Sequence, residues 1–337
     1  MTETEIIKRY TNERPMYEAY GEFIVDEFTA KMRSEIESQD FGDLFKVEPS
    51  YRTKEPASLV AKALYRAKGY ENPYEEINDK VGARFVVLLQ TQLEKASALI
   101  EDHDILDFEK SRDFKDERHE NPLSFEYQSI HYIVRPTEDV KVGNMTIPTN
   151  TPCEIQLRTL LQHAYSELTH DTVYKPRLVA TPDVQRVVAK SMALIETTGE
   201  LFSKVEEKLR DMDKQYQHIT DQLTQIYDKF SDPEYNKRLN DFLLSEFHPL
   251  LEKDNFNMQE VIDFYESSES SYITEYINDK SSDSLIYRQP AILLVAYLVK
   301  EYKFEAWRHW PLPQDELAPI YSKFGYSLSS ISGKGTY

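Results

Sequence analysis

The stretches FEYQSIHYIVRP (Phe125–Pro136) and CEIQLRTLLQHAYSELTHDTVYKP (Cys153–Pro176) decide the fold. Successive side chains of a strand point to opposite faces. Glu154, Gln156 and Arg158 therefore share one face of a strand, with Cys153, Ile155 and Leu157 on the other. In the first stretch Ser129, His131, Ile133 and Arg135 fall together. One polar strand face alone reads equally well as a solvated surface. Two such strands, joined through VKVGNMTIPTNTP (140–152) as a hairpin link and standing beside Tyr127, favour a cleft. TLLQHAYSELTHD (159–171) then continues as helix.

Further elements follow outward from this pair. Residues 1–40 predict a helix, with apolar residues at helical spacing around Phe23, Ile24 and Phe28. EPSYRTKEP (48–56) reads as a short strand entering a turn, and Pro56 suits a first helical position. ASLVAKALYRAK (57–68) reads as helix, with Leu59, Val60, Ala63, Leu64 and Ala67 on one face and Gly69 as its stop. ARFVVLLQ (83–90) is a buried strand by its β-branched run, and TQLEKASALIEDH (91–103) a helix. The charged segment 108–126 reads as a mobile loop. Long helices are expected over about 182–212 and 213–231, and a separate, mostly helical segment over 232–337. Strands mixed with helices, then helices only, give an α+β core with a C-terminal all-α extension. The expected division is an N-terminal helical segment (1–44), the core (45–180), helices packing on it (181–231) and the C-terminal region (232–337).

The 337 residues suffice for two domains, and 40% hydrophobic and 12% aromatic content describe a globular chain. The net charge of −19 is spread over both halves, so neither half is a nucleic-acid footprint, although a local basic groove stays compatible with it. One cysteine excludes an internal disulfide and a cysteine metal cluster. The opening MTETEIIKRY has no apolar segment of signal-peptide type, and the longest apolar run, AILLVAYLV (291–299), is too short to span a bilayer. A soluble, cytoplasmic protein without a membrane partner is expected.

Three further groups carry chemistry. Arg52 and Lys54 share a strand face, and Ser58, Lys62 and Arg66 are spaced four apart along the next helix. Helix-terminal amides, a hydroxyl and several cations make a polyphosphate cradle. Asp79 stands just ahead of a buried strand, with Gly82 and Arg84 following. With Glu154 it gives two carboxylates of the kind that hold Mg²⁺ bridged to phosphates. His163, Glu167 and His170 follow at helical spacing, without the order of a zinc protease motif, and read as a nucleotide-facing helix rather than a metal set.

Taken in order, these pieces resemble the synthetase domain of the RelA/SpoT family of alarmone synthetases. The matching elements are Arg52, Lys54, Ser58 and Lys62; DKVGAR (79–84); YQSIH (127–131); EIQLRT (154–159); and His170, Tyr174 and Lys175. The likeness covers about residues 45–180 and the helices to about 231; no hydrolase domain precedes it, so the chain looks like a small, synthetase-only member. The resemblance implies a nucleotidyltransferase-like mixed sheet flanked by helices. It implies transfer of the β,γ-pyrophosphate of ATP to the 3′-hydroxyl of GDP or GTP, giving AMP and ppGpp or pppGpp. By similarity, Arg52 and Arg84 sandwich the adenine, and Lys54, Ser58 and Lys62 hold the ATP phosphates. Asp79 and Glu154 hold Mg²⁺, and Glu154 activates the 3′-hydroxyl. Tyr127 stacks on the acceptor base, with His131, Gln156 and His163 nearby.

The sequence departs from the family in two places. Ahead of Tyr127 stand Phe125 and Glu126 where the family commonly has Asn-Gly, and Lys115, Arg118 and His119 are the cations left to serve the acceptor. The region 232–337 matches no family module. Some small synthetases are toxins that pyrophosphorylate the tRNA 3′ end. That alternative acceptor, with the C-terminal region as autoinhibitor or sensor responding to a protein partner or trigger, stands beside the GDP/GTP reading. A homo-oligomer is compatible with either.

Overall fold

The computed structural model describes residues 1–36, 44–66, 69–122, 125, 128–169, 181–230, 235–253 and 256–327. They form two compact units, residues 1–206 and 207–337.

The first unit is built on a five-stranded mixed sheet in the order β1-β2-β7-β4-β3. Its strands are β1 (Phe45–Thr53), β2 (Val81–Val87), β3 (Leu106–Asp113), β4 (Ile130–Pro136) and β7 (Cys153–Thr159), while β5 (Val140–Val142) and β6 (Met145–Ile147) form a separate hairpin. β2 and β7 run parallel, and the other neighbours pair antiparallel. The helices are α1 (Glu3–Ile36), α2 (Pro56–Val60), α3 (Pro73–Glu76), α4 (Gln90–Glu101), α5 (Phe114–Glu120), α6 (Leu160–Thr169) and α7 (Pro182–Tyr227).

Alternation along the strands gives the sheet two unlike faces. Ala83, Phe85, Ile155, Leu157, Tyr132 and Val134 are buried in one hydrophobic core with Tyr10, Tyr20, Ile24 and Phe28 of α1 and Leu93, Ala96 and Ile100 of α4. The other face carries Arg84, Gln156 and His131, which stand side by side across three strands. The α+β class and the all-helical C-terminal region are as the sequence implies.

Four local readings change. The segment 108–126 holds the end of β3 and all of α5, not a loop throughout. β3 is a charged edge strand, paired only with β4, so it lacks the apolar alternation of a half-buried strand. The strand before α2 starts earlier than expected, at Phe45. The helix from Pro56 continues through a π-helical turn, Ala61–Tyr65, which carries Lys62. Pro182–Tyr227 is one helix of 46 residues, because no Gly or Pro breaker stands at the expected break.

The second unit is all-helical: the end of α7, then α8 (Lys237–Glu246), α9 (His248–Leu251), α10 (Met258–Glu266), α11 (Ser271–Ser281), α12 (Ala291–Glu301), α13 (Lys303–His309) and α14 (Gln314–Lys323). AILLVAYLV forms the centre of α12 and is buried along its whole length. Around it pack Leu223 and Tyr227 of α7, Leu243 of α8, Val261 of α10 and Leu317 of α14. Among the described residues no helix is long and apolar enough to cross a membrane.

Candidate active site

The polar sheet face is assembled by register. Arg52 of β1 stands opposite Gly82 of β2, and Gly82 opposite Glu154 of β7. One row along, Ser50, Arg84, Gln156 and His131 are aligned across four strands. A Cβ on residue 82 would lie 3.3 Å from the Glu154 backbone oxygen and 3.9 Å from its carboxylate. The tight contact is with the backbone oxygen, so glycine gives room to the β2–β7 pairing that carries Glu154.

Asp79, in the turn before β2, is clasped by two lysines. Lys54 Nζ donates to Oδ2 at 2.6 Å, and Lys62 Nζ pairs with Oδ1 at 2.8 Å. Burial acts to raise the Asp79 carboxyl, but the two lysines outweigh it and hold the group below its ordinary range. Glu154 receives a hydrogen bond from Gln156 Nε2 at 2.8 Å and faces His131 Nδ1 at 3.2 Å. Burial pulls the Glu154 pKa up, and the neighbouring Asp79 charge adds to this. His131 and Gln156 prevail, so it too lies below the ordinary value. Both carboxylates are therefore ionised at neutral pH.

The face continues through Arg158, which the sequence placed on it without a ligand role, and on to Arg84 and His163. Arg158, buried, donates to Gln156 Oε1 at 2.6 Å and to Ser166 Oγ of α6 at 3.0 Å. It fixes the Gln156 amide with its NH₂ toward Glu154. Arg84 pairs with Glu167 of α6 at 3.2 Å. His163 lies 3.6 Å from the same carboxylate, and burial followed by the nearby Arg84 charge lowers its pKa. A strand face two residues ahead of Arg158 was a readable signal; the Glu167 contact depends on how α6 folds back and had none.

Lys115 is placed elsewhere. It pairs with Glu94 of α4 at 2.5 Å, and α4 packs on the apolar face. Arg118 is held by Glu196 of α7 at 3.1 Å, and Gln128 donates to the same carboxylate at 2.9 Å. Arg52 and Ser58 are exposed. Tyr127, Glu126, His170, Tyr174 and Lys175 lie outside the described residues. Among the described residues no group of three or more His, Cys, Asp or Glu side chains is arranged as a metal cage. Two carboxylates suit a cation that takes its remaining ligands from water and phosphates.

Residues 51–178 match the model of the region found in RelA / SpoT proteins, so this stretch carries a RelA/SpoT-type region. Among solved structures, small alarmone synthetase 1 from Bacillus subtilis is 16% identical, with a TM-score of 0.50, covering 60% of this chain and 99% of the other. The same enzyme bound to its product pppGpp is 18% identical over 60% and 99% of the two chains, with a TM-score of 0.49. A GTP pyrophosphokinase family protein from Streptococcus pneumoniae is 18% identical, covers 56% and 90%, and has a TM-score of 0.45. No curated protein matches. The family match supports a nucleotide pyrophosphokinase of the (p)ppGpp-synthetase type.

Proposed function

We propose that the chain transfers the β,γ-pyrophosphate of ATP to the 3′-hydroxyl of GDP or GTP. The observation that carries this reading is the Lys54–Asp79–Lys62 clasp beside Glu154 on one polar sheet face. Two ammonium groups and two ionised carboxylates suit a metal-bound triphosphate. Arg52 and Arg84 are diagonal neighbours on adjacent strands, and such pairs stand roughly 7–8 Å apart. That spacing admits a planar base between two guanidinium groups, which suits the adenine. Ser58 joins the two lysines on the phosphates.

In the transfer the 3′-oxygen forms a bond to the β-phosphorus of ATP while the bond from that phosphorus to the α,β-bridging oxygen breaks. AMP leaves with the electron pair. Glu154 accepts the hydroxyl proton, which passes on toward His131 and solvent. Mg²⁺, held by Asp79 and Glu154, would neutralise charge on the triphosphate and the departing AMP. Tyr127 is assigned to the acceptor base, with Gln156, His131 and His163 near it. Lys115 would reach the acceptor only after leaving Glu94.

The test is incubation with γ-labelled ATP and, separately, GDP, GTP, ATP or deacylated tRNA. Label on GDP or GTP supports the proposal. Label on tRNA alone overturns it in favour of a tRNA-modifying toxin, a reading that the acidity of the chain disfavours. No label on any acceptor would leave a domain that only binds nucleotides.

A further inference from the structure

We infer that Lys80 is a positioning residue for Asp79, acting through the Ile77–Lys80 turn; the inference rests on the phosphate-site reading of Asp79. Asp79 sits on irregular backbone between α3 and β2. A carboxylate on such a segment is held in place only as well as its turn. Lys80 supplies the ties. Its Nζ donates to the Ile77 carbonyl oxygen at 2.8 Å, closing the turn over Asn78 and Asp79. Its own carbonyl oxygen accepts from the Lys54 backbone N–H at 2.9 Å and from the Tyr10 hydroxyl at 3.1 Å. The turn is thus bound to β1, which leads into Lys54, and to α1, which carries Tyr10.

The placement of this side chain is costly. Lys80 is 2% exposed, and lysine is almost never fully buried without a partner. A methionine would fill a similar volume without desolvating an ammonium group. The Nζ stands 4.9 Å from the Tyr74 ring centroid, and Arg9 stands 4.1 Å from the same ring. The Tyr74 hydroxyl donates to Glu13 at 2.7 Å, and Arg9 pairs with Glu13 at 2.8 Å and Glu75 at 2.6 Å. Lys80 is therefore seated in a network borne by α1 and α3, while the residue next to it carries the carboxylate. It touches no substrate position itself. The ammonium closes the Ile77–Lys80 turn at a desolvation cost, and the functional group on that turn is Asp79.

The experiment uses the full chain with Lys80→Met, and binding of a non-hydrolysable ATP analogue followed by calorimetry at a series of Mg²⁺ concentrations. Replacing an indirect support of a metal ligand costs about 10–100-fold in metal affinity or activity. K80M is expected to melt cooperatively, at or above the midpoint of the unaltered chain, yet to need at least about tenfold more Mg²⁺ for analogue binding. Its kcat is expected to fall by a similar factor, while KM for the acceptor stays unchanged. Folded K80M with an unaltered Mg²⁺ requirement overturns the inference. If K80M does not fold, Lys80→Gln carries the same test, and failure of both to fold shows that Lys80 serves the core alone and overturns it too. Absence of Mg²⁺-dependent binding in the unaltered chain would instead defeat the reading of the site itself, and this inference with it.

Discussion

At the residue scale, the two carboxylates are set up by different partners, and this predicts different losses. Glu154→Gln keeps the shape and the neighbours of the side chain but removes its charge. Transfer should fall on the order of 10²-fold or more, while circular dichroism stays that of the parent fold; near-normal turnover would remove Glu154 from its role. The lowered pKa values also have a consequence for stability. A carboxylate whose folded pKa is depressed contributes stability above its unfolded pKa and loses it as pH falls through the folded one. For Asp79 and Glu154 the ordinary values are 3.8 and 4.5. Their contribution is complete at pH 7 and declines below about pH 4.5. Urea titrations at about pH 7, 4.5 and 3.5 should show this decline, and Asp79→Asn should reduce it; a D79N variant with the parent's full acid sensitivity would contradict the assignment.

At the element scale, β2 and β7 do most of the assembly, since their parallel register brings Gly82 against Glu154. Gly82→Ala puts a methyl 3.3 Å from a ladder oxygen that cannot retreat without disturbing the pairing. A cost of about 1–3 kcal/mol is expected, with turnover lowered further than stability alone explains because the carboxylate is displaced. Equilibrium unfolding and initial rates on one preparation check both. The face of β7 was legible because Glu154, Gln156 and Arg158 alternate with Cys153, Ile155 and Leu157, and strand geometry leaves them no other arrangement. β3 was not legible: LDFEKSRD is an edge strand whose middle is exposed on both sides, so burial leaves little pattern in it. Lys54, Lys62 and Asp79 were singled out as residues, but the grip of the two lysines on the carboxylate arises from tertiary folding. Glu167 and Glu196 were not legible as partners, since their ion pairs with Arg84 and Arg118 arise from tertiary folding of α6 and α7.

At the scale of the molecule, the C-terminal unit begins inside α7 rather than after it. Tyr216, Ile219, Leu223, Ile226 and Tyr227 belong to the core around α12. A chain ending near residue 231 strips the cover from these side chains and should self-associate. A chain ending at 206 should stay monodisperse, with nucleotide binding retained. Light scattering on both truncations distinguishes the cases, and a well-behaved 1–231 chain would show that this part of α7 stands without its partners. With the 1–206 chain in hand, comparison of its transfer rate with that of the full chain tests whether residues 207–337 regulate the synthetase. A higher rate in the truncation marks inhibition, and an equal rate removes a regulatory role in vitro.

The clasp of Asp79 by Lys54 and Lys62 makes the resting cleft an ion exchanger loaded with its own anion. On the proposed function, a triphosphate entering it would take the two ammonium groups, and the carboxylate they release would become a seat for a cation. Nucleotide without a divalent ion leaves that seat empty and sets phosphate against carboxylate. The ion without nucleotide must compete with two lysines already in place. Each ligand would then prepare the position of the other, and linkage would require each to tighten the other by the same factor. On the proposed function, the donor would be bound as its metal salt and not as a free nucleotide.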